Sequence, residues 1–110
     1  MKIYRLDDMV RGWFVGAFDP TVLRTDDVEV GIKTYPAGAE EAVHFHKVAT
    51  EITVILDGTA EMNDRVLNTG DIVVLNPNEP SNFRCLTAVT AVVVKHPGAS
   101  DDKYLGAPSR

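Results

Sequence analysis

The chain has 110 residues, 45% hydrophobic and 25% charged, with eleven Lys and Arg against sixteen Asp and Glu and a net charge of −5. That length predicts one domain over 1–110 with a core of its own, and the scattered cations form no basic stripe for phosphates, so nucleic acid is not an expected partner. A single cysteine, Cys85, excludes an internal disulfide; apolar runs of four residues or fewer are too short for a membrane span, and a charge-broken N-terminus unlike a signal peptide points to the cytoplasm.

Residues 1–11 carry mixed charge, with a short turn or helical piece expected around Asp7–Met9. Gly12–Phe18 is strand-like and aromatic and stops at Asp19-Pro20, a turn signal. Asp27–Tyr35 alternates with period two, hence a strand. Its apolar set, Val28, Val30 and Ile32, is expected in the core, which would leave Lys33 and Tyr35 solvated on the opposite face. Pro36-Ala37-Gly38 ends it. Ala42–Lys47 and Glu51–Leu56 read as two strands of one hairpin, and Asp57-Gly58 as a hairpin turn into Thr59–Met62. Short strands follow at Arg65–Leu67, Ile72–Leu75, Phe83–Leu86 and Ala88–Lys95, separated by Gly-, Asn- and Pro-rich turns. Residues 96–110 are polar and Pro/Gly-rich, a tail or covering loop.

Nine or so short strands and no helix of ordinary length predict an all-β antiparallel sandwich or barrel with its core in 12–95. Several strands, IVVL at Ile72–Leu75 among them, are apolar on both faces and so need two hydrophobic contacts. A second copy of the chain is the expected cover, a homodimer.

The chemistry concentrates in Gly38–Gly58, GAEEAVHFHKVATEITVILDG. On a strand, His44 and His46 point to one side and Phe45 to the other. Glu51 opens the next apolar run. Two imidazoles and a carboxylate at this spacing suit a divalent transition metal, with Fe, Mn, Zn and Ni not distinguishable.

This stretch resembles the first motif of the cupin superfamily, G-x5-H-x-H-x3,4-E-x6-G, with Gly38, His44, His46, Glu51 and Gly58 filling every fixed position. The second motif, G-x5-P-x-G-x2-H-x3-N, is half present. Gly70 opens it and Pro77 fits with one extra residue; Asn78 stands at its glycine, Ser81 at its histidine and Cys85 at its asparagine. The resemblance spans about 27–95. It implies a double-stranded β-helix (jelly-roll) barrel with a metal inside, one end open to a small-molecule ligand, and commonly a dimer.

Without the fourth histidine, three readings stay open: a two-His one-Glu site with extra open positions, a thiolate from Cys85, or a weak or vestigial metal site in a pocket that binds an organic ligand. Phe45 and Phe83 are expected to pack around the cavity, with Ser81 and Cys85 at its wall. The function this resemblance implies is metal-assisted action on a small oxygenated substrate, a sugar or an organic acid, of isomerase, epimerase or oxygenase type. The alternative is a non-catalytic sugar-binding or sensor protein. A further likeness, in general look only, is to small cupins of carbohydrate biosynthesis.

Overall fold

A computed structural model describes residues 1–99 and 101–109. It is built of strands. The N-terminal segment carries one 3-10 turn, Leu6–Asp8, and no described helix is long and apolar enough to cross a membrane. Ten strands follow in the described residues: β1 (Trp13–Val15), β2 (Glu29–Tyr35), β3 (Glu40–Phe45), β4 (Thr50–Asp57), β5 (Ala60–Met62), β6 (Arg65–Leu67), β7 (Ile72–Leu75), β8 (Ser81–Cys85), β9 (Val89–His96) and β10 (Tyr104–Leu105).

The strands form two five-stranded antiparallel sheets, β1-β2-β9-β4-β7 and β10-β3-β8-β5-β6. From β2 to β10 every connection crosses from one sheet to the other except the β5–β6 hairpin. This is the jelly-roll expected from the motif. It also corrects two local expectations. β3 and β4 are not a hairpin, and neither are β4 and β5. The turn residues are as expected, but each turn carries the chain across the interior to the other sheet, where the next strand finds its partners. β4 pairs with β9 over seven residue pairs and with β7 over four. Gly58 makes its crossing possible: at φ +100° a Cβ would lie 2.1 Å from the Ala88 carbonyl oxygen.

The interior is divided along its length. Ile55, Val89 and Ala91 of one sheet meet Ala60, Met62, Phe83 and Cys85 of the other at the closed end in one apolar cluster, which Leu75 extends to the level of Glu51. Towards the other end the inward positions turn polar. On β4 they run Ile55, Thr53, Glu51, and on β9 Ala91, Val93, Lys95. The site lies at that change.

β2 is inverted relative to the expectation. Gly31, Lys33 and Tyr35 face inward and Val30 and Ile32 outward. Alternation fixes that a strand has two faces but not which is the core. Here the register with β9, Gly31 to Val93 and Lys33 to Ala91, sets it. The outer face of this sheet is consequently apolar. Val30, Val94, Ile52 and Val74 form one cross-strand row, and Ile32, Val92, Val54 and Ile72 the next.

The segment after β9 is neither a free tail nor a loose cover. β10 extends the second sheet along β3, with Tyr104 opposite Phe45 and Leu105 opposite His44. Tyr104 stacks on Phe45 with ring centroids 5.4 Å apart. Asp102, only 6% exposed, drives its carboxylate under the loop after β3.

Candidate metal centre

His44 is the penultimate residue of β3, and His46 follows the strand's end. Both are buried. A register shift between Glu41 and His44 bends β3 against β8 and places His44 beside Ser81. The chain then crosses to β4, where Glu51 sits between Lys95 of β9 and Leu75 of β7. Glu51 reaches the histidines across the interior and not across a hairpin. One potential ligand atom from each of His44, His46 and Glu51 lies within 4.8 Å of the others.

The protonation pattern suits a metal. His44 Nδ1 lies 3.0 Å from the Ala42 carbonyl oxygen, which can only accept, so that nitrogen donates and Nε2 keeps its lone pair. His46 Nδ1 lies 3.3 Å from Glu51 Oε2. Burial, then the charge of Lys95 and the neighbouring His44, lower the His46 pKa to about 4. The imidazole is thus neutral at neutral pH, and its 3.3 Å approach to Glu51 is not an ion pair. His46 Nε2 is buried with no hydrogen-bond partner among the described residues. A buried polar atom without a partner costs about 1–3 kcal/mol, and a metal ion is the partner its lone pair fits. Ligand bonds of about 2.1 Å hold donors no more than ~4.2 Å apart, so the triad closes on an ion by small side-chain rotations. Burial also raises the Glu51 carboxyl, with Lys95 opposing.

The loop between ligands is held from the C-terminal segment. Asp102 Oδ1 accepts from the backbone N–H of Lys47 at 2.9 Å and of Val48 at 3.1 Å, and Oδ2 from Val48 at 3.1 Å and Ala49 at 2.9 Å. Burial alone would raise this carboxyl; the three N–H donors hold it below its ordinary value. Asp102 was not legible as a site residue, since more than fifty residues separate it from the loop it anchors. Its only trace was the unexplained polarity of KHPGASDDKY.

Two cavities adjoin the triad. The inner one, about 30 Å³, is lined by Tyr35, Glu41, His44, Glu51, Ser81 and Phe83 among others. It has room for water or an ion and not for an organic ligand. The outer one, about 390 Å³, opens from the triad past Arg11, Trp13, Lys33, Tyr35, Glu41, Lys95 and Lys103. A separate cavity of about 490 Å³ runs along β6 and β7, but no imidazole lines it among the described residues.

Ser81 and Phe83 line the inner cavity. Phe45 does not. It points away from the histidines and packs on Tyr104, as its odd position between them requires. Cys85 is 1% exposed in the closed-end cluster, where burial and then Glu41 raise its thiol pKa. It stands outside the His44, His46, Glu51 cluster, which disfavours the thiolate reading. Lys33 and Tyr35, expected solvated, line the site instead. Glu41, unmarked in the sequence, joins them: Tyr35 donates its hydroxyl to Glu41 Oε1 at 3.0 Å. Burial first, and Glu41 second, keep that phenol protonated well above the ordinary tyrosine range.

No curated protein matches the chain significantly. Solved structures do. A conserved Klebsiella pneumoniae protein with a double-stranded β-helix domain is 24% identical, with a TM-score of 0.71 over 97% of this chain and 93% of that one. The DMSP lyase DddQ of Ruegeria pomeroyi is 23% identical, with a TM-score of 0.72 over 97% of this chain and 57% of that one. KdgF of a Halomonas species is 21% identical, with a TM-score of 0.64 over 73% and 79%. At these identities the likeness speaks for the fold. The family profile of the cupin domain matches residues 31–95, the stretch that carries His44, His46, Glu51 and Ser81, and the chain therefore belongs to the cupin family.

Proposed function

We propose that this cupin holds one divalent transition metal ion through His44, His46 and Glu51 and acts on a small oxygenated substrate, a sugar or an organic acid, in the outer cavity. The unpartnered, buried Nε2 of His46 beside two further donor side chains carries this reading. A bound ion would supply a Lewis acid, or an oxygen-activating centre if it is iron. Serine in place of the fourth histidine leaves more of the ion's coordination to the substrate. Phe83 and Met62 keep the inner wall apolar, and the Tyr35–Glu41 pair sets a proton donor and an acceptor in the same space. The same missing histidine supports a second reading, a sugar-binding or sensor protein with a weak metal site.

Metal content of the purified protein beside His44→Ala and Glu51→Ala tests the proposal. Stoichiometric metal in the wild type, lost in both variants, is expected. Trace metal unchanged by either substitution would overturn it.

A homodimer belongs to the same proposal. The two apolar rows on the outer face of the first sheet support it, for Ile72 and Val74 are 64% and 51% exposed on it.

A further inference from the structure

Around the mouth of the triad stand four cations, Arg11, Lys33, Lys95 and Lys103, in a protein whose net charge is −5. Four separated parts of the chain deliver them: the segment before β1, the inner face of β2, the inner face of β9, and the segment anchored by Asp102. Among the described residues none of the four is ion-paired. Trp13 organises two of them. Its ring lies on Gly31, where any Cβ would come within 2.7 Å of it. Lys33 Nζ stands 5.3 Å and Lys95 Nζ 5.0 Å from the ring centroid. Lys33 is further tied by donating to the Arg11 carbonyl oxygen at 2.8 Å.

Two ammonium groups on one indole ring, with two more cations nearby, repel each other. Burial first lowers the Lys33 pKa; Glu41 opposes, and Arg11, Lys95 and Lys103 add to the lowering. Such an arrangement is stabilised by an anion placed between the charges. The carboxylates of Glu41 and Glu51 face the same space, so a singly charged guest is accepted more readily than a doubly charged phosphate. We infer that the outer cavity is a cradle for a small carboxylate-bearing ligand, gripped by Lys33 and Lys95 over Trp13 with Arg11 and Lys103 at its rim. Of the sugar and the organic acid in the proposed function, this selects the acid. The inference rests on that reading for the ligand's second contact, at the metal, but the cradle itself needs no metal.

Trp13 is the only tryptophan, so its fluorescence reports the site. Lactate, its neutral analogue lactamide and inorganic phosphate are titrated into metal-free protein, and lactate and lactamide again into protein with Mn²⁺. Lactate is expected to change the emission at least about tenfold more tightly than lactamide, a gap of ~1.4 kcal/mol, and to weaken as salt rises. Lys33→Met and Lys95→Met should each reduce lactate affinity by about tenfold. Neither should weaken Mn²⁺ binding measured by calorimetry, since each removes a neighbouring positive charge. Arg11→Met, on the exposed rim, repeats the test if an inner variant fails to fold. Equal binding of lactate and lactamide, lactate affinity unchanged in the lysine variants, or tighter binding of phosphate than of lactate would each overturn the inference. Absent Mn²⁺ binding with lactate discrimination intact would overturn the metal reading and leave the cradle standing.

Discussion

Replacing Asp102 by Ala strips three backbone N–H groups of their acceptor. Ala49 is 1% exposed, so its N–H stays buried without a partner, at about 1–3 kcal/mol. Lys47 and Val48 are exposed, so water replaces the carboxylate there at roughly 0.5–1.5 kcal/mol each. The sum is about 2–6 kcal/mol, and for a domain of this size each kcal/mol lowers Tm by roughly 4 °C. A fall of roughly 8–24 °C in thermal unfolding by circular dichroism is therefore expected. Because His46 precedes this loop and Glu51 follows it, metal affinity should fall as well, with amide exchange at Lys47, Val48 and Ala49 accelerated before global unfolding. Asp102→Asn keeps one accepting oxygen but turns an amide NH₂ toward N–H groups, so it should lose most of the same stability. The pH dependence carries a defined sign. The folded-state pKa of Asp102 lies below its ordinary 3.8. Its contribution is thus complete above that value and is lost as pH falls through the lower folded value. The alanine variant should accordingly lose the part of the wild type's acid destabilisation that falls below pH ~4. A variant that melts within a degree or two of the wild type, with unchanged metal affinity, would refute the idea that this carboxylate holds the loop.

Other substitutions probe the rest of the site. Ser81→His places an imidazole beside His44 and should tighten Mn²⁺ binding about tenfold in calorimetry. It should also cost ~1–3 kcal/mol of stability in denaturant titration, because the inner cavity is too small for the ring without strain. Unchanged affinity would show that Ser81 is not at the ligand position. Gly31→Ala drives a methyl into Trp13 and should shift tryptophan emission and lower stability by ~1–3 kcal/mol; an unaltered spectrum would mean the ring does not rest on Gly31. Ile72→Glu, on a residue 64% exposed in the protomer, should leave the melting of a monomer almost unchanged but shift sedimentation from dimer to monomer. A wild type that sediments as a monomer at all concentrations would refute the dimer.

The sequence by itself determined the strands, the jelly-roll family and the three residues proposed to hold a metal. These are local facts: period-two alternation, Gly and Asn at turns, and His44, His46 and Glu51 inside a Gly38-to-Gly58 frame. What lies next to what was decided only by the tertiary structure. Asp57-Gly58 is a turn signal whether the chain returns to the same sheet or crosses to the other, and β4 crossed because β9 and β7 offered it longer apolar partners. Alternation in β2 could not say which face was inside, and the register with β9 turned Lys33 and Tyr35 into the site and Val30 and Ile32 out of it. Glu41 became a site residue through the hydroxyl of Tyr35, and Asp102 through a loop far away in sequence. Hydrogen bonds and charges act over a few ångströms of space, whatever the separation along the chain. The ligands that share a strand and its turn were therefore readable from spacing, whereas the cations and the carboxylate that surround and brace them were not.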